Sequence, residues 1–127
     1  MNSKVIMESF EIHTTPLEKI SIDTNSIEIH LDDIYENRYK ISAKPYQTIR
    51  IVSIDFVSSM DYYNEFCFRD GRYHRHILQM ENSDFLNGLI KTTANATILN
   101  NAKHFAFPLQ DILIELIAYD INVERIV

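Results

Sequence analysis

Apolar residues that alternate with polar ones constrain the fold of this chain most. Ile27, Ile29 and Leu31 stand at every second position, and the same spacing relates Ile20 to Ile22. Because successive side chains of a β-strand point to opposite faces, each run predicts a strand with one buried face. The residues between the two runs are typical of turns (Asp23, Thr24, Asn25, Ser26). The pattern therefore predicts an antiparallel hairpin.

Two further strands are predicted in the middle of the chain. The third strand is indicated by alternating residues that end at a proline, which cannot continue a central strand (Tyr39, Ile41, Ala43, Pro45). Residues 49–56 form a longer apolar run, and its alternation changes parity between Ile51 and Val52. Such a change is typical of a β-bulge or of a strand buried on both faces. We predict a long strand near the centre of a sheet here.

Asp70-Gly71 is the strongest local turn signal, because both central positions of a type I′ hairpin turn need a positive φ. With these two residues as the loop, the strands that flank it have a defined register. The predicted cross-strand pairs are Arg69 with Arg72, Phe68 with Tyr73, Cys67 with His74, Phe66 with Arg75, and Glu65 with His76.

One helix is predicted after Ser83, a favourable N-cap, because the apolar residues that follow share one helical face (Phe85, Leu86, Leu89, Ile90). Residues 112–119 favour a buried strand, and a helix that starts at Asp111 is the alternative. Glu115 interrupts this apolar run. We expect its carboxylate to face solvent; the alternative is a partly buried carboxyl with a raised pKa.

These elements predict the α+β class: a mostly antiparallel sheet of about six to eight strands with one or two short helices. A chain of 127 residues without a linker-like stretch is expected to form a single globular domain over residues 1–127. Apolar residues make up 46% of the chain, which contains 2 Gly and 3 Pro, so collagen and low-complexity disorder are excluded.

The charge and cysteine content narrow the expected environment and partners. The net charge of −6 disfavours nucleic acid and anionic lipid and favours a basic partner. Cys67 is the only cysteine, so an intrachain disulfide is excluded and a reducing cytoplasm is expected. We expect no membrane association, because no uncharged apolar stretch is long enough to span a bilayer and no apolar signal region follows Met1.

The sequence contains no Gly-rich phosphate loop and no nucleophile or metal-ligand motif, so we expect a non-enzymatic interaction protein without a metal or cofactor. It resembles in kind the small acidic immunity proteins with which bacteria neutralise toxins, although it shares no motif with them. This resemblance implies that the chain covers the active site of a protein partner. The residues expected to bind it are an acidic group and a hairpin group that could supply anchors (Asp32, Asp33, Glu36; Arg72, Tyr73, Arg75).

The hairpin register also raises three alternative sites. Four side chains of one parity could hold a metal ion (Glu65, Cys67, His74, His76). Cys67 could be a nucleophile with His74 as its base and Glu65 or Asp70 to orient the imidazole. The arginines of the hairpin, interleaved with Phe68 and Tyr73, could contact the phosphates and bases of a nucleic acid (Arg69, Arg72, Arg75). The acidic net charge disfavours this nucleic-acid site.

Two alternatives concern the molecule as a whole. The first is a small-molecule or enzymatic pocket between the sheet and the helix, lined by aromatic side chains (Tyr62, Tyr63, Phe66, Phe68). The second is a homo-oligomer in which a second copy covers exposed strand edges.

Overall fold

The structure is a computed structural model that describes residues 2–56, 62–69 and 71–126. Its strands, in chain order, are β1 (Asn2–Val5), β2 (Lys19–Ile22), β3 (Ile27–Asp32), β4 (Arg38–Ala43), β5 (Tyr46–Ser53), β6 (Phe68–Arg69), β7 (Arg72–Tyr73), β8 (Leu78–Glu81), β9 (Lys103–Pro108), β10 (Ile112–Ala118) and β11 (Asn122–Arg125). The α-helix α1 (Asp84–Thr92) lies between β8 and β9. Short helical turns occupy Ile54–Phe56, Tyr63–Cys67 and Ala96–Leu99.

All strand pairs are antiparallel, and they form two main sheets. One sheet has the order β1-β8-β9-β10-β5 and the other the order β11-β4-β3-β2, while β6 and β7 form a separate ribbon. The predicted α+β class with mostly antiparallel sheet is confirmed. The described residues form 11 strands, more than the six to eight expected.

The two sheets pack face to face around one core. Ile27, Ile29 and Leu31 of β3 are buried in it, as the alternating pattern predicted. The β2–β3 hairpin is confirmed, with Ile20 opposite Ile29 and a turn in which the Asp23 N–H donates to the Ser26 carbonyl over 2.9 Å. The predicted end of β4 is also confirmed, since the cis Lys44-Pro45 bond separates β4 from β5.

β10 is a central strand of the larger sheet, so the strand interpretation of this segment is the correct one. Ile114 and Leu116 pack into the core between the sheets. Leu113 has the opposite parity and packs with Tyr62 and Phe66 in a second apolar cluster on the outer face. Both faces of β10 are therefore covered, which explains its nearly continuous apolar run.

The prediction of a central strand over residues 49–56 is wrong in two respects. β5 is an edge strand that pairs with β10 alone among the described strands, and it ends at Ser53. The register shift lies opposite Ile117 and Ala118, near Tyr46, and not between Ile51 and Val52. The parity change has another origin: Ile49 packs against the core between the sheets, whereas Val52 lies opposite Leu113, whose side chain belongs to the outer face.

The predicted helix is confirmed as α1, and Ser83 Oγ accepts the N–H of Leu86 over 3.0 Å. The hairpin register is confirmed at its tip by the pairs Phe68–Tyr73 and Arg69–Arg72 and by Gly71, whose φ is 80°. Asp70 lies outside the described residues.

The His74 N–H donates to the Cys67 carbonyl over 2.8 Å, as the predicted pair of these residues requires, but beyond this pair the predicted hairpin register is wrong. Residues 63–67 coil into a π-helical turn, so Phe66 and Glu65 do not continue a strand. His76 instead forms a β-bridge with Glu11, from a segment distant in sequence.

Candidate partner-binding surface

Three segments that adjoin one another form what we call the bridging surface. They are the bridging segment (residues 11–17), the acidic turn (residues 32–38) and the tip hairpin, formed by β6, β7 and residues 74–75. The Ile12 N–H donates to the Arg75 carbonyl over 2.7 Å, and the His13 N–H donates to the Asp32 carbonyl over 2.9 Å. The bridging segment therefore joins the two groups of residues that the sequence proposed as partner-binding.

Asp33 shapes the acidic turn from within. Its side chain is buried, and Oδ1 accepts the N–H groups of Tyr35 and Asn37, each over 2.9 Å. Oδ2 accepts the side-chain amide of Asn37 over 3.3 Å. A buried carboxylate with these partners is satisfied within the fold. Asp33 therefore supports the surface and does not present its carboxylate to a partner.

The turn that Asp33 holds presents Tyr35 and Glu36 to solvent. Tyr35 is 74% exposed. Glu36 is exposed, has a φ of 65°, and forms no ion pair with another described residue. Asp32 is half-buried, and its Oδ1 accepts a hydrogen bond from Arg38 Nη1 over 3.1 Å. Of the predicted acidic residues, Glu36 is thus the most accessible, and Asp32 is partly neutralised.

A groove of about 440 Å³ lies between the bridging segment and the acidic turn. Its lining combines acidic, basic and apolar groups (His13, Thr15, Leu17, Asp32, Glu36, Arg38). Leu17 is 74% exposed beside Asp32, whose Oδ2 accepts the Leu17 N–H over 3.4 Å. The groove therefore has an apolar wall and accessible carboxylate oxygens.

The tip hairpin forms the other side of the bridging surface. Phe68 and Tyr73 stack edge to face, with ring centroids 5.1 Å apart, and both are exposed. Arg72 is exposed, whereas Arg75 is half-buried. Of the predicted anchors, Arg72 and Tyr73 are therefore more accessible than Arg75.

The bridging surface collects most of the exposed large apolar side chains. Nine such side chains are exposed among the described residues, and five of them belong to this surface (Leu17, Ile34, Tyr35, Phe68, Tyr73). The other four lie on separate elements: Ile22 on β2, Ile51 on β5, Ile90 on α1 and Ile98 in the last helical turn. Exposed apolar side chains that pack on each other, as Phe68 and Tyr73 do with ring centroids 5.1 Å apart, indicate an interaction site more than scattered ones do.

Sequence reasoning missed the bridging segment, because residues 11–17 show no periodic pattern and their neighbours are distant in sequence. Pro16 was the only local signal, since the residue before a proline favours an extended backbone.

Glu115 is the clearest error of the sequence interpretation. It is 3% exposed and does not face solvent. Arg50, its direct partner on β5, donates from Nε to Glu115 Oε2 over 2.8 Å, and His104 Nε2 lies 3.0 Å from Oε1. Burial by itself raises the pKa of Glu115, but the hydrogen bonds from His104 and Arg50 and the nearby positive charge of Arg50 outweigh it and hold the pKa below 4.5.

The buried network continues from Glu115 to the N-terminus of α1. Ser83 Oγ lies 2.7 Å from His104 Nδ1. With the His104 proton on Nε2, the imidazole donates to Glu115 and accepts from the Ser83 hydroxyl. Phe85 packs edge-on to the His104 ring, and the Arg50 guanidinium lies 3.9 Å from the centroid of the Phe85 ring.

A serine, a histidine and a carboxylate in series are also the parts of a nucleophilic hydrolase site. Here Ser83 Oγ caps α1, and none of the three residues is more than 5% exposed, so a substrate carbonyl has no access to Oγ. The network therefore anchors α1 to β9 and β10.

The predicted aromatic pocket between sheet and helix is not built as expected. Tyr62 and Phe66 are buried in the outer cluster, and Phe68 lies on the tip hairpin. The side chain of Tyr63 lies outside the described part of the structure. A cavity of about 110 Å³ does lie between β5 and α1, but Thr48, Leu89 and Leu99 are among its lining residues instead.

No three His, Cys, Asp or Glu side chains in the described ranges are grouped so that they could hold a metal ion. Within the same ranges, no helix is long and apolar enough to cross a membrane.

Comparison with known proteins identifies no family. No family model matches the chain, and no curated protein matches it. Among solved structures, an uncharacterized protein from Neisseria gonorrhoeae is similar, with 15% sequence identity over 99% of this chain and 100% of that chain and a TM-score of 0.49.

Proposed function

We propose that this chain is a non-enzymatic interaction protein that binds a protein partner through the bridging surface. The observation that carries the proposal is the concentration of exposed apolar and aromatic side chains there, five of the nine among the described residues. Tyrosine and arginine side chains dominate the centres of protein interfaces, and Tyr35, Tyr73 and Arg72 are all exposed here.

The charges of the surface favour a partner that places a basic side chain at the acidic turn. Leu17 and Tyr35 would pack against the aliphatic part of a lysine or arginine side chain, while Glu36 and Asp32 would accept its hydrogen bonds. On the other side of the bridging segment, Arg72 would face an acidic group. The net charge of −6 would steer a basic partner toward the complex.

An immunity-type role is the specific form of this proposal: the chain would occupy the active site of a basic toxin in the cytoplasm. Occlusion needs a rigid, complementary surface and no catalytic group. The hydrogen bonds that Asp33 makes within the acidic turn support such rigidity.

The proposal is tested by affinity capture from the source cells with matched variants. The tagged wild type is compared with a Leu17→Ser, Tyr35→Ser variant and with an Ile22→Ser, Ile51→Ser control, which removes two exposed apolar side chains elsewhere. We expect a basic protein that is retained by the wild type and the control and is lost with the first variant. Equal retention by all three proteins would refute the assignment of this surface, and a second copy of the chain as the captured species would replace the proposal by self-association.

The electrostatic part of the proposal has its own test with the captured partner. Glu36→Lys should slow association roughly tenfold at low salt and much less at high salt, because screening removes the attraction. An association rate that does not change at low salt would remove the role assigned to the acidic turn.

A further inference from the structure

The two main sheets of the described chain end in four edge strands, β1 and β5 in one sheet and β11 and β2 in the other. Proteins protect edge strands from unwanted pairing by keeping them short and by placing charged residues on them. β1, β2 and β11 each contain four residues, with at least one charged side chain per strand (Lys4; Lys19; Glu124, Arg125). β5 contains eight residues, and Arg50 is its only charged one.

Arg50 does not protect the free edge of β5. Its Nε donates to Glu115 Oε2 over 2.8 Å, and its guanidinium lies 3.9 Å from the centroid of the Phe85 ring. Glu115 belongs to β10, so the Arg50 side chain points across the sheet and away from the edge. A β-bulge also protects edges, but the register shift of β5 lies at its first residue, Tyr46. The edge after that residue is therefore regular and unprotected.

The hydrogen-bond pattern of β5 identifies the backbone groups that face outward. Antiparallel pairs alternate between pairs that exchange both backbone hydrogen bonds and pairs whose groups point away from each other. The Ile54 N–H donates to the Asp111 carbonyl over 3.0 Å just beyond the strand, which fixes this alternation. Counted back along the β5–β10 register, the N–H and C=O groups of Ser53, Ile51 and Ile49 point away from β10. Within residues 2–56, 62–69 and 71–126, no backbone hydrogen bond reaches them.

Ile51 adds an apolar side chain at the centre of this outward row. It is 47% exposed, whereas Ile49 packs against the core between the sheets. A strand that pairs with β5 would place a side chain opposite Ile51, with the two Cβ atoms about 5 Å apart. The edge therefore offers both unpaired backbone groups and an apolar contact to an added strand.

We propose that two copies of this chain associate through β5, as antiparallel strands related by a two-fold axis, so that their larger sheets become continuous. Ile51 lies opposite Ile51 of the second copy, and Ile49 lies opposite Ser53 of the second copy. The outward groups of all three residues are then paired across the interface. An axis at Arg50 would instead place like charges opposite each other, which is unfavourable.

A second copy fits this edge because β5 is complementary to itself. Under a two-fold axis, each outward N–H meets an outward carbonyl of the same strand, and closed two-fold dimers are the commonest protein oligomers. β5 contains no acidic residue, so the net charge of −6 of each copy is not concentrated at this edge. The association uses no residue of the bridging surface. It therefore goes beyond the proposed function, and each can fail without the other.

Sedimentation equilibrium of the purified full chain measures the association. One strand pair forms a small interface, so we expect a dissociation constant on the order of 10 μM. The mass should rise from that of one chain at about 1 μM to nearly that of two chains at about 500 μM. Because no other protein is present, a second copy is the only available partner.

Variants test whether the interface lies on β5. Ile51→Pro removes an N–H that β10 does not use, so the β5–β10 ladder keeps its hydrogen bonds. Ile51→Lys keeps the backbone donor and adds a charge of the kind that protects edges, and each variant should raise the dissociation constant at least about tenfold. Ile22→Lys, the same change at an isoleucine that is 55% exposed on β2, is the control and should dimerise as the wild type does. The Leu17→Ser, Tyr35→Ser variant should also dimerise normally, which separates this interface from the bridging surface.

Amide hydrogen exchange followed by NMR tests the register. In the dimer the N–H groups of Ile49 and Ile51 are hydrogen-bonded, so their exchange should slow as the protein concentration rises. The N–H of Arg50 faces β10 and should be protected at every concentration. A dimer formed through another surface would not produce this alternation.

The inference is overturned if the mass remains that of one chain at about 500 μM, or if both Ile51 variants dimerise as the wild type does. It is equally overturned if the amides of Ile49 and Ile51 exchange at the same rate in dilute and concentrated solution. Circular dichroism establishes that each variant is folded. If Ile51→Pro does not fold, Ile51→Lys decides the comparison.

Discussion

The buried carboxylate of Glu115 gives the sharpest test of the energetics of this fold. In Glu115→Gln, the amide oxygen can still accept a hydrogen bond from His104. The charge-assisted hydrogen bonds from Arg50, and the attraction between the carboxylate and the Arg50 guanidinium, are lost. Arg50 is 48% exposed, so solvent screens part of this loss. We expect the free energy of unfolding to fall by about 2 kcal/mol, below the 3–5 kcal/mol typical of a fully buried pair.

The pH dependence of this loss is a second, independent consequence. The pKa of Glu115 lies below 4.5 in the folded state, so near that pH the unfolded chain binds more protons than the folded one. The stabilisation by the carboxylate is therefore complete above 4.5 and is lost as the pH falls through the folded-state pKa. The wild type and Glu115→Gln should differ most near neutral pH and converge in acid.

Urea unfolding followed by far-UV circular dichroism measures both effects. With a slope of about 2 kcal/mol per M, the expected loss lowers the midpoint by about 1 M at about pH 7. Glu124→Gln is the control, because Glu124 is half exposed and pairs with Lys40 on the surface; its urea midpoint should stay close to that of the wild type. Equal midpoints for wild type and Glu115→Gln, or a gap that stays constant down to about pH 3, would refute the reasoning.

Further predictions concern backbone and turn positions. Asp33→Ala leaves the N–H groups of the acidic turn without their acceptor, so the free energy of unfolding in urea should fall by about 1–3 kcal/mol. Glu36→Ala, on the exposed side of the same turn, should change it by less than about 0.5 kcal/mol. Equal losses would contradict the structural role of Asp33. Gly71→Ala should destabilise by about 1 kcal/mol, because the φ of 80° is strained for alanine although no atom lies within 4 Å of the added methyl group. Gly88→Ala should instead raise the free energy of unfolding by up to about 1 kcal/mol, since α1 is helical there and the position is open; a loss would indicate a packing conflict.

Features that depend on residues close together in the sequence were predicted correctly, and features that depend on distant residues were not. The β2–β3 hairpin, the end of β4 at Pro45, the cap of α1 and the tip of the β6–β7 hairpin depend on residues a few positions apart, and all four were predicted correctly. The position of β5 in its sheet was predicted wrongly, because an apolar run has the same pattern in an edge strand as in a central strand when other residues pack on both of its faces.

The candidate sites show the same division. The exposed Tyr73 and Arg72 and the acidic Glu36 were named from composition, but the bridging segment that joins them was not, since its β-bridges reach Asp33 and His76. The pairing of Cys67 with His74 followed from the Asp-Gly turn. The contact of His74 Nδ1 with Glu11 Oε1, over 3.2 Å, was not predicted, because the two residues lie 63 positions apart.

Periodicity and turn chemistry act between neighbouring residues, and they were enough to predict the alternating strands, the capped helix and the hairpin with a glycine at its tip. Which strand lies at an edge, which carboxylate is buried with a lowered pKa, and which segments share a surface became evident only from the folded chain. The physical reason is that hydrogen-bond ladders, burial and charge interactions depend on distance in space, and Glu115 with Arg50, 65 residues apart, are cross-strand partners.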